Sequence, residues 1–386
     1  MKRRVWVEID LAALRRNYLK IAQHVRPAKV LCVLKANAYG LGVADYARAL
    51  AATDCAGFGV AEPFEALELR SVLKRLGAEK DVQILSSILP DEIPAMVKAG
   101  VTLPAIDTAT AKLISAAAVR QRKTAKVHLK LDTGMGRLGI PVRDALAVAR
   151  EIAALPGLDV EGVFSHFPMA YDPEDPFTPR QIACFKDFLA AAKKLGLSFR
   201  KVHIAASDAI NNFPQCAKPP FNMVRTGINL HGSFDPNGRK ALKVEPVLAL
   251  KTRVAQVREL PAGTTLGYGR TWCLKEPTRI ATISAGYADG LPLALTNRGH
   301  VLINGAVCPV VGRISMDYAT VDVSGVRGVK AGDEVVCLGK SGRHSVTPDD
   351  WARLKGTHAY DIICSFGTRV QRIPNNPPCA TTRKTV

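Results

Sequence analysis

The sequence predicts an α/β chain, a (β/α)8 TIM barrel followed by a mainly β C-terminal domain, and three observations carry that prediction. Short apolar runs bounded by turn residues recur eight times before Gly232. Helical segments alternate with them. Beyond Val244 the alternation stops, and short β-rich runs separated by Gly, Pro, Asn and Asp take over. A chain of 386 residues is long for one domain and comfortable for two.

Taken in order, Val5 to Ile9 reads as a strand, and Asp10 is a candidate N-cap for a helix through Leu14, Asn17 and Tyr18. The run Val30 to Leu34 ends at Lys35, and a glycine-punctuated turn follows. Such a run is a buried strand whose last side chain emerges at the carboxyl edge of the sheet, where α/β folds keep their sites. Further strands begin near Ala56, Val82, Val101, Lys126, Val160, Lys201 and Met223. Eight strands alternating with helices fit a closed barrel better than an open doubly wound sheet.

The clearest helix follows Thr178, expected as its cap, with Pro179 at the first helical position and Gln181 completing a capping box. Ile182, Phe185, Leu189, Ala192 and Leu195 form its buried stripe, and Gly196 ends it. After the linker Ser233 to Lys240, strands are expected at Val247–Val257, Arg279–Ser284, His300–Ile303, Ala306–Val311, Ala319–Val323 and Glu334–Leu338. A helix is expected at Pro348–Leu354 and a further strand at Tyr360–Ile373. The domain expectation is therefore a strand over 1–10 packing with the second domain, a barrel over 11–240, a β domain over 241–375 and a disordered tail over 376–386.

The formal net charge is +19, which raises nucleic acid or an acidic membrane as partners. The basic residues are scattered, with no run of five, so a solvated surface accounts for them better and no nucleic-acid partner is expected. Nine cysteines lie far apart, with no C-x-x-C pair and no histidine spacing suited to zinc. That is reduced thiol usage, with no metal site expected. Glu8 and Asp10 interrupt any apolar signal segment and no membrane span follows, so a cytoplasmic protein is expected.

The residues just past each barrel strand form a set: Lys35 and Tyr39, Lys130 and Arg137, His166, His203 and Ser207, then Arg225, Gly227 and Ile228. Strand ends of a barrel converge on one mouth, and the loops after strands seven and eight commonly hold a phosphate. Here those loops offer the Ser207 hydroxyl and backbone N–H groups around Gly227. A lysine opposite a phosphate cradle suggests pyridoxal 5'-phosphate, whose aldehyde condenses with an amine. The plainer readings are that Lys35 merely caps a strand and that Arg225 pairs with a carboxylate.

At this point the motifs L-K-A-N-A-Y-G-L-G, K-L-D-T-G-M-G-R-L-G, S-H-F-P, V-R-T-G-I-N-L-H-G, G-Y-G-R-T-W, G-Y-A-D-G and G-R-I-S-M-D are informative together. Their types and order resemble the alanine racemases, fold type III pyridoxal-phosphate enzymes, over nearly the whole chain. The resemblance implies that Lys35 carries the cofactor and exchanges a proton on the D side, while Tyr268 exchanges it on the L side. A free tyrosine titrates near pKa ~10 and needs help to act as a base, which the resemblance assigns to His166 with Arg225 and His203. It implies Arg225 at the pyridine nitrogen, where an always-charged arginine cannot readily supply a proton. It also implies Arg137 at the cofactor oxygen and substrate carboxylate, Lys130 as a carbamylated support for Arg137, and Met316 at the substrate carboxylate. Tyr39, Ser207, Gly227, Ile228 and Tyr360 are implied at the phosphate, and Tyr287 and Asp317 near the entrance.

A homodimer with shared sites is implied, with Tyr268, Met316 and Tyr360 reaching the partner's barrel, and D-alanine supply for cell-wall peptidoglycan as the role. From the residues alone, Tyr268 could instead be a packed turn tyrosine and Met316 a core methionine. Departures from the family pattern are Ala206 and Asp208 flanking Ser207, Tyr318 after M-D, and Asp361 after Tyr360. A racemase shifted toward serine, or a same-fold amino-acid decarboxylase, is the alternative.

Overall fold

A computed structural model describes residues 3–235 and 237–375. The expected tail at 376–386 lies outside the described residues. The chain forms two compact units, one comprising Leu14–Ala38 and Val43–Glu245, the other the N-terminal segment to Ala13, Tyr39–Gly42 and the chain from Pro246.

The first unit is the expected barrel. Its strands are Lys29–Val33, Gly57–Val60, Asp81–Ile84, Leu103–Ala105, Ala125–Asp132, Leu158–Phe164, Lys201–His203 and Met223–Thr226. Parallel ladders join strands one to three, four to seven, and eight back to one. The two remaining seams close through backbone bonds. Thr102 N donates to Val82 O at 2.9 Å, and Ile84 N to Thr102 O at 3.0 Å. On the other side Asn222 N donates to Val202 O at 3.1 Å, and Arg225 N to Ala205 O at 3.0 Å. Helices cover the outside, and Leu31, Phe58, Val82, Leu103, Leu129 and Val163 are buried.

Two local expectations need correction. The helix after strand six begins at Phe177, not after Thr178, because the Asp175 carboxylate accepts from Phe177 N at 2.7 Å. Thr178 Oγ1 is buried within the first turn and does not cap it. The buried stripe runs through Ile182, Phe185, Phe188 and Ala192, while Leu195 is exposed at the C-terminal end.

The second unit is built on the long strand Leu248–Leu260. Trp6–Asp10 pairs antiparallel with its first half, in register Trp6 with Lys251, and parallel with Gln371–Asn375. Glu334–Ser341 and Thr278–Ile283 flank the long strand, and His300–Ile303, Ala306–Pro309 and Ala319–Asp322 extend the sheet. The strand expected over Tyr360–Ile373 is a helix at Ala359–Cys364 followed by the strand Gln371–Asn375. His358 caps that helix, accepting from Asp361 N. No helix among the described residues is long and apolar enough to cross a membrane.

Candidate active site

Strand one delivers Lys35 to the carboxyl end of the barrel, and the chain then turns the wrong way round. Ala36, Asn37, Ala38 and Tyr39 all have φ between 52° and 59°, one turn of left-handed helix. Each non-glycine residue in that region costs about 1 kcal/mol or more, so the turn needs anchors. Glu65 accepts from Ala36 N, and the Asn37 side chain accepts from Val43 N at 2.8 Å, where the helix Val43–Ala51 starts. Past Tyr39, Arg372 Nε donates to Gly40 O at 2.9 Å while its other nitrogens bind the carbonyls of Phe366, Gly367 and Val370. Neither Glu65 nor Arg372 was singled out by sequence reasoning, since each acts through contacts distant in the chain.

Four cations of the barrel unit act on His166, and one of them, Arg225, is hydrogen-bonded to it. Its imidazole is pushed down to about 3, by burial first and then by Arg225, Arg137, Lys35 and Lys130. Lys130 is itself held down to about 8 by burial, Arg137 and Arg225, with Lys35 adding and Asp132 opposing. Its ammonium donates to Leu85 O at 2.8 Å and Ser86 O at 3.2 Å and sits 5.6 Å over the Phe164 ring. Asp132 is occupied by its own loop, accepting from Gly134 N and Gly136 N. The loop can pass there because Gly134 presses on the Phe177 ring, where a Cβ would come within 2.7 Å.

Arg225 is buried and, among the described residues, pairs with no carboxylate. Its guanidinium donates to His203 Nδ1 at 2.9 Å, His166 Nδ1 at 3.3 Å, Ser165 O at 2.8 Å, and the carbonyls of Ile204 and His203. Burial alone lowers it to about 9. A guanidinium bound only to neutral acceptors keeps its positive field, so this mouth favours an anion. Beside it, Ser207 Oγ accepts from Gly227 N at 3.2 Å, which brings the two expected phosphate loops together. Gly227 precedes the 3-10 turn Ile228–His231, and Ser207 opens the helix Ser207–Asn212. Asp208, next to Ser207, is raised to about 6 by burial and by Asp235. These residues fit pyridoxal phosphate: an amine at Lys35, a hydroxyl-and-backbone cradle at Ser207 and Gly227, and surplus positive charge between them.

In the β unit, Tyr39 and Tyr360 come together, with ring centroids 6.0 Å apart. Tyr360 thus lies against Tyr39 of its own chain. Tyr268 stands at the tip of the hairpin Thr265–Leu266/Trp272–Cys273 and is 72% exposed, so it is not a packed turn residue. Gly267 makes that tip possible: its φ is 71°, and a Cβ would come within 2.7 Å of Arg313 N. Met316 is 52% exposed, not a core methionine. Its carbonyl accepts from Ala288 N at 3.1 Å, and Ser315 O accepts from Tyr287 N at 3.1 Å, so the Tyr287 and Met316 segments are fastened together. Asp317 pairs with Arg369 at 2.6 Å. Arg369 and Asp289 were missed by sequence reasoning. Among the described residues there is no cluster that could hold a metal ion.

The alanine racemase N-terminal domain model matches residues 9–235, and the alanine racemase C-terminal domain model matches residues 247–374. The alanine racemase of Syntrophobacter fumaroxidans is 39% identical over 364 residues, covering 94% of this chain and 95% of that protein. Alanine racemase 2 of Caldanaerobacter subterraneus is 38% identical, covering 95% of this chain and 94% of that protein. Among solved structures, alanine racemase of Clostridium difficile 630 superposes with a TM-score of 0.91 at 30% identity, covering 98% of this chain and 97% of that one. Bartonella henselae alanine racemase with covalently bound pyridoxal phosphate gives 0.85 at 30% identity, covering 97% of this chain and 100% of that one. Two domain models that together span almost the whole chain, and relatives matched end to end above 30% identity, place this chain in the alanine racemase family.

Proposed function

We propose that this chain interconverts L- and D-alanine with pyridoxal phosphate attached at Lys35, using Lys35 and Tyr268 as bases on opposite faces of the substrate. The observation that carries the reading is the convergence of Lys35, Lys130, Arg137 and Arg225 around a neutral His166, with Arg225 bound to imidazoles and carbonyls. Pyridoxal phosphate, when bound, supplies an aldehyde for an amine and an electron-poor ring that draws charge from the substrate α-carbon. Ser207 Oγ and the backbone at Gly227 and Ile228 hold its phosphate. Arg225 presents a fixed positive charge to the ring nitrogen, and a guanidinium there does not hand over a proton.

Arg137 orients the substrate carboxylate, together with the backbone N–H of Met316. Lys35 Nζ takes or returns the α-proton on one face, and Tyr268 Oη does so on the other. With Nδ1 accepting from Arg225, a neutral His166 carries its proton on Nε2 and can donate it in a hydrogen bond to a tyrosine oxygen, which favours the phenolate that acts as a base. Lys130, whose amine is easily neutralised, is the site of a carbamate that anchors Arg137. Tyr287 and Asp317 line the entrance.

The exposure of Tyr268 and Met316 supports a homodimer in which both residues complete the site of a second copy. The product D-alanine supplies peptidoglycan, and the enzyme works in the cytoplasm.

Tyr268→Phe tests the two-base arrangement. Solvent-deuterium incorporation into L-alanine is expected to fall by two orders of magnitude or more, roughly the effect of losing a general base, while exchange from D-alanine persists. Equal loss from both enantiomers would contradict separate bases.

A further inference from the structure

Beneath Arg225 a line of buried polar side chains runs down the barrel interior. His203, on strand seven, accepts from Arg225 at Nδ1 and faces His128 Nδ1 through Nε2 at 3.0 Å. His128, in the middle of strand five, faces Glu161 Oε1 through Nε2 at 3.3 Å. Glu161, on strand six, binds Lys201 Nζ at 2.9 Å, and Lys201 binds Asp81 at 2.7 Å. His128, His203 and Glu161 are all at most 3% exposed.

The direction of each hydrogen bond follows from the two ends. An arginine has only donors, so His203 Nδ1 must carry a lone pair and its proton must sit on Nε2. That proton points at His128 Nδ1, which must accept, so the His128 proton sits on its Nε2 and points at the Glu161 carboxylate. Both rings are neutral: burial, the largest cause in each, lowers the titration of His128 and of His203. Gln83 Nε2 also donates to His128 Nδ1, at 3.0 Å, an independent sign that this nitrogen is the acceptor. Glu161 is the fixed end. Burial works against its charge, yet hydrogen bonds from His128 and Lys201 hold it down to about 2.

Packing keeps the rings in line. Phe164 stacks on His203 with centroids 5.0 Å apart and planes 3° apart. Gly162 lies opposite His128 in the ladder, and a Cβ there would come within 2.7 Å of the His128 ring. The glycine is the space the imidazole occupies.

We infer that Glu161 and His128 are positioning residues for Arg225: the buried carboxylate sets the tautomers of both imidazoles, so that His203 always offers the guanidinium a lone pair. With the Glu161 carboxylate gone, His128 can place its proton on Nδ1 once the Gln83 amide turns its oxygen toward that nitrogen, and His203 must then turn its own proton toward Arg225. That contact becomes donor against donor, and the guanidinium loses one of its holds. The functional consequence rests on Arg225 facing the cofactor, as proposed above; the tautomers do not.

The test is nitrogen-15 NMR of histidine-labelled protein, with and without cofactor, alongside racemisation kinetics. In the wild type both His128 and His203 are expected as Nε2–H tautomers; a proton on Nδ1 of His203 would overturn the inference without any variant. In Glu161→Gln, His203 is expected to become a mixture of tautomers in the cofactor-free protein. In the loaded enzyme kcat is expected to fall about 10–100-fold, as for other groups that act through a ligand-orienting residue, with KM for alanine within twofold. Gly162→Ala, which displaces the His128 ring and leaves every charge in place, is expected to give the same tautomer mixture, and it serves if Glu161→Gln does not fold. Unchanged His203 tautomers in a folded variant, or unchanged kcat with altered tautomers, would overturn the role. If the wild type shows the expected tautomers but does not racemise alanine, the functional proposal fails and the tautomer relay stands.

Discussion

Arg369 clasps Asp289 with two hydrogen bonds, Nε to Oδ1 at 2.7 Å and Nη2 to Oδ2 at 2.9 Å, and the Asp289 carboxylate is buried. The remaining nitrogen holds Asp317 at 2.6 Å, and Nη2 also reaches Met316 O at 3.4 Å. Asp289 in turn accepts from Gly286 N at 3.0 Å, so one arginine fastens the two segments that carry Tyr287 and Met316. Removing it leaves a buried carboxylate with a lost partner. Arg369→Ala is expected to cost about 2 kcal/mol, less than for a fully buried pair because the arginine is half-exposed. Thermal unfolding measures this, and KM for alanine should rise with it.

The lowered titration of Lys130 fixes the sign of a pH effect. Its folded value, about 8, lies below the ordinary lysine value of 10.5, so the folded state resists protonation. The penalty is full below about pH 8, and stability recovers as pH rises from there toward the unfolded value. In carbon-dioxide-free buffer, stability is therefore expected to climb across that window. A neutral amine attacks the carbon of carbon dioxide and releases a proton to water, leaving a carbamate anion among Arg137 and Arg225. With labelled bicarbonate a carbon-13 carbamate signal is expected in the wild type, absent in Lys130→Ala, and the pH climb should flatten.

Asp208 has the opposite sign. Its carboxyl titrates at about 6 in the folded chain against 3.8 as a free side chain. Stability is therefore present below about pH 4 and is lost as pH rises through about 6. Asp208→Asn removes the loss and should stabilise the protein at neutral pH by about 1–2 kcal/mol, a value reduced for partial exposure. Because Asp208 adjoins Ser207, the variant should also bind inorganic phosphate more tightly above pH 6, measurable by calorimetry on cofactor-free protein.

The barrel strands were legible because each is a short apolar run closed by turn residues, a pattern that burial on both faces enforces. The helix Ala359–Cys364 was not, since A-Y-D-I-I-C is too short for a helical period to show, and its apolar residues suit a strand equally. Its cap, His358, is not a common N-cap type. Thr178 misled for the reverse reason: it has the right type for a cap, but Asp175, three residues earlier, reached the first helical N–H. In the candidate site, Lys35, Ser207 and Arg225 stood out because they follow strands. Glu65 and Asp289 also cap their own turns, but the partners that give Glu65, Arg372, Arg369 and Asp289 their part in the site lie tens to hundreds of residues away. His128 and Glu161 were hidden inside strands that read simply as β, where inward-facing polar side chains are indistinguishable from outward-facing ones.

The most direct test of the whole account is Lys35→Ala, assayed for interconversion of L- and D-alanine and for the visible absorption of the cofactor-loaded protein. The account predicts a folded variant with wild-type circular dichroism that neither retains the yellow colour through dialysis nor racemises alanine. A variant that keeps its colour through dialysis and still racemises alanine would contradict it.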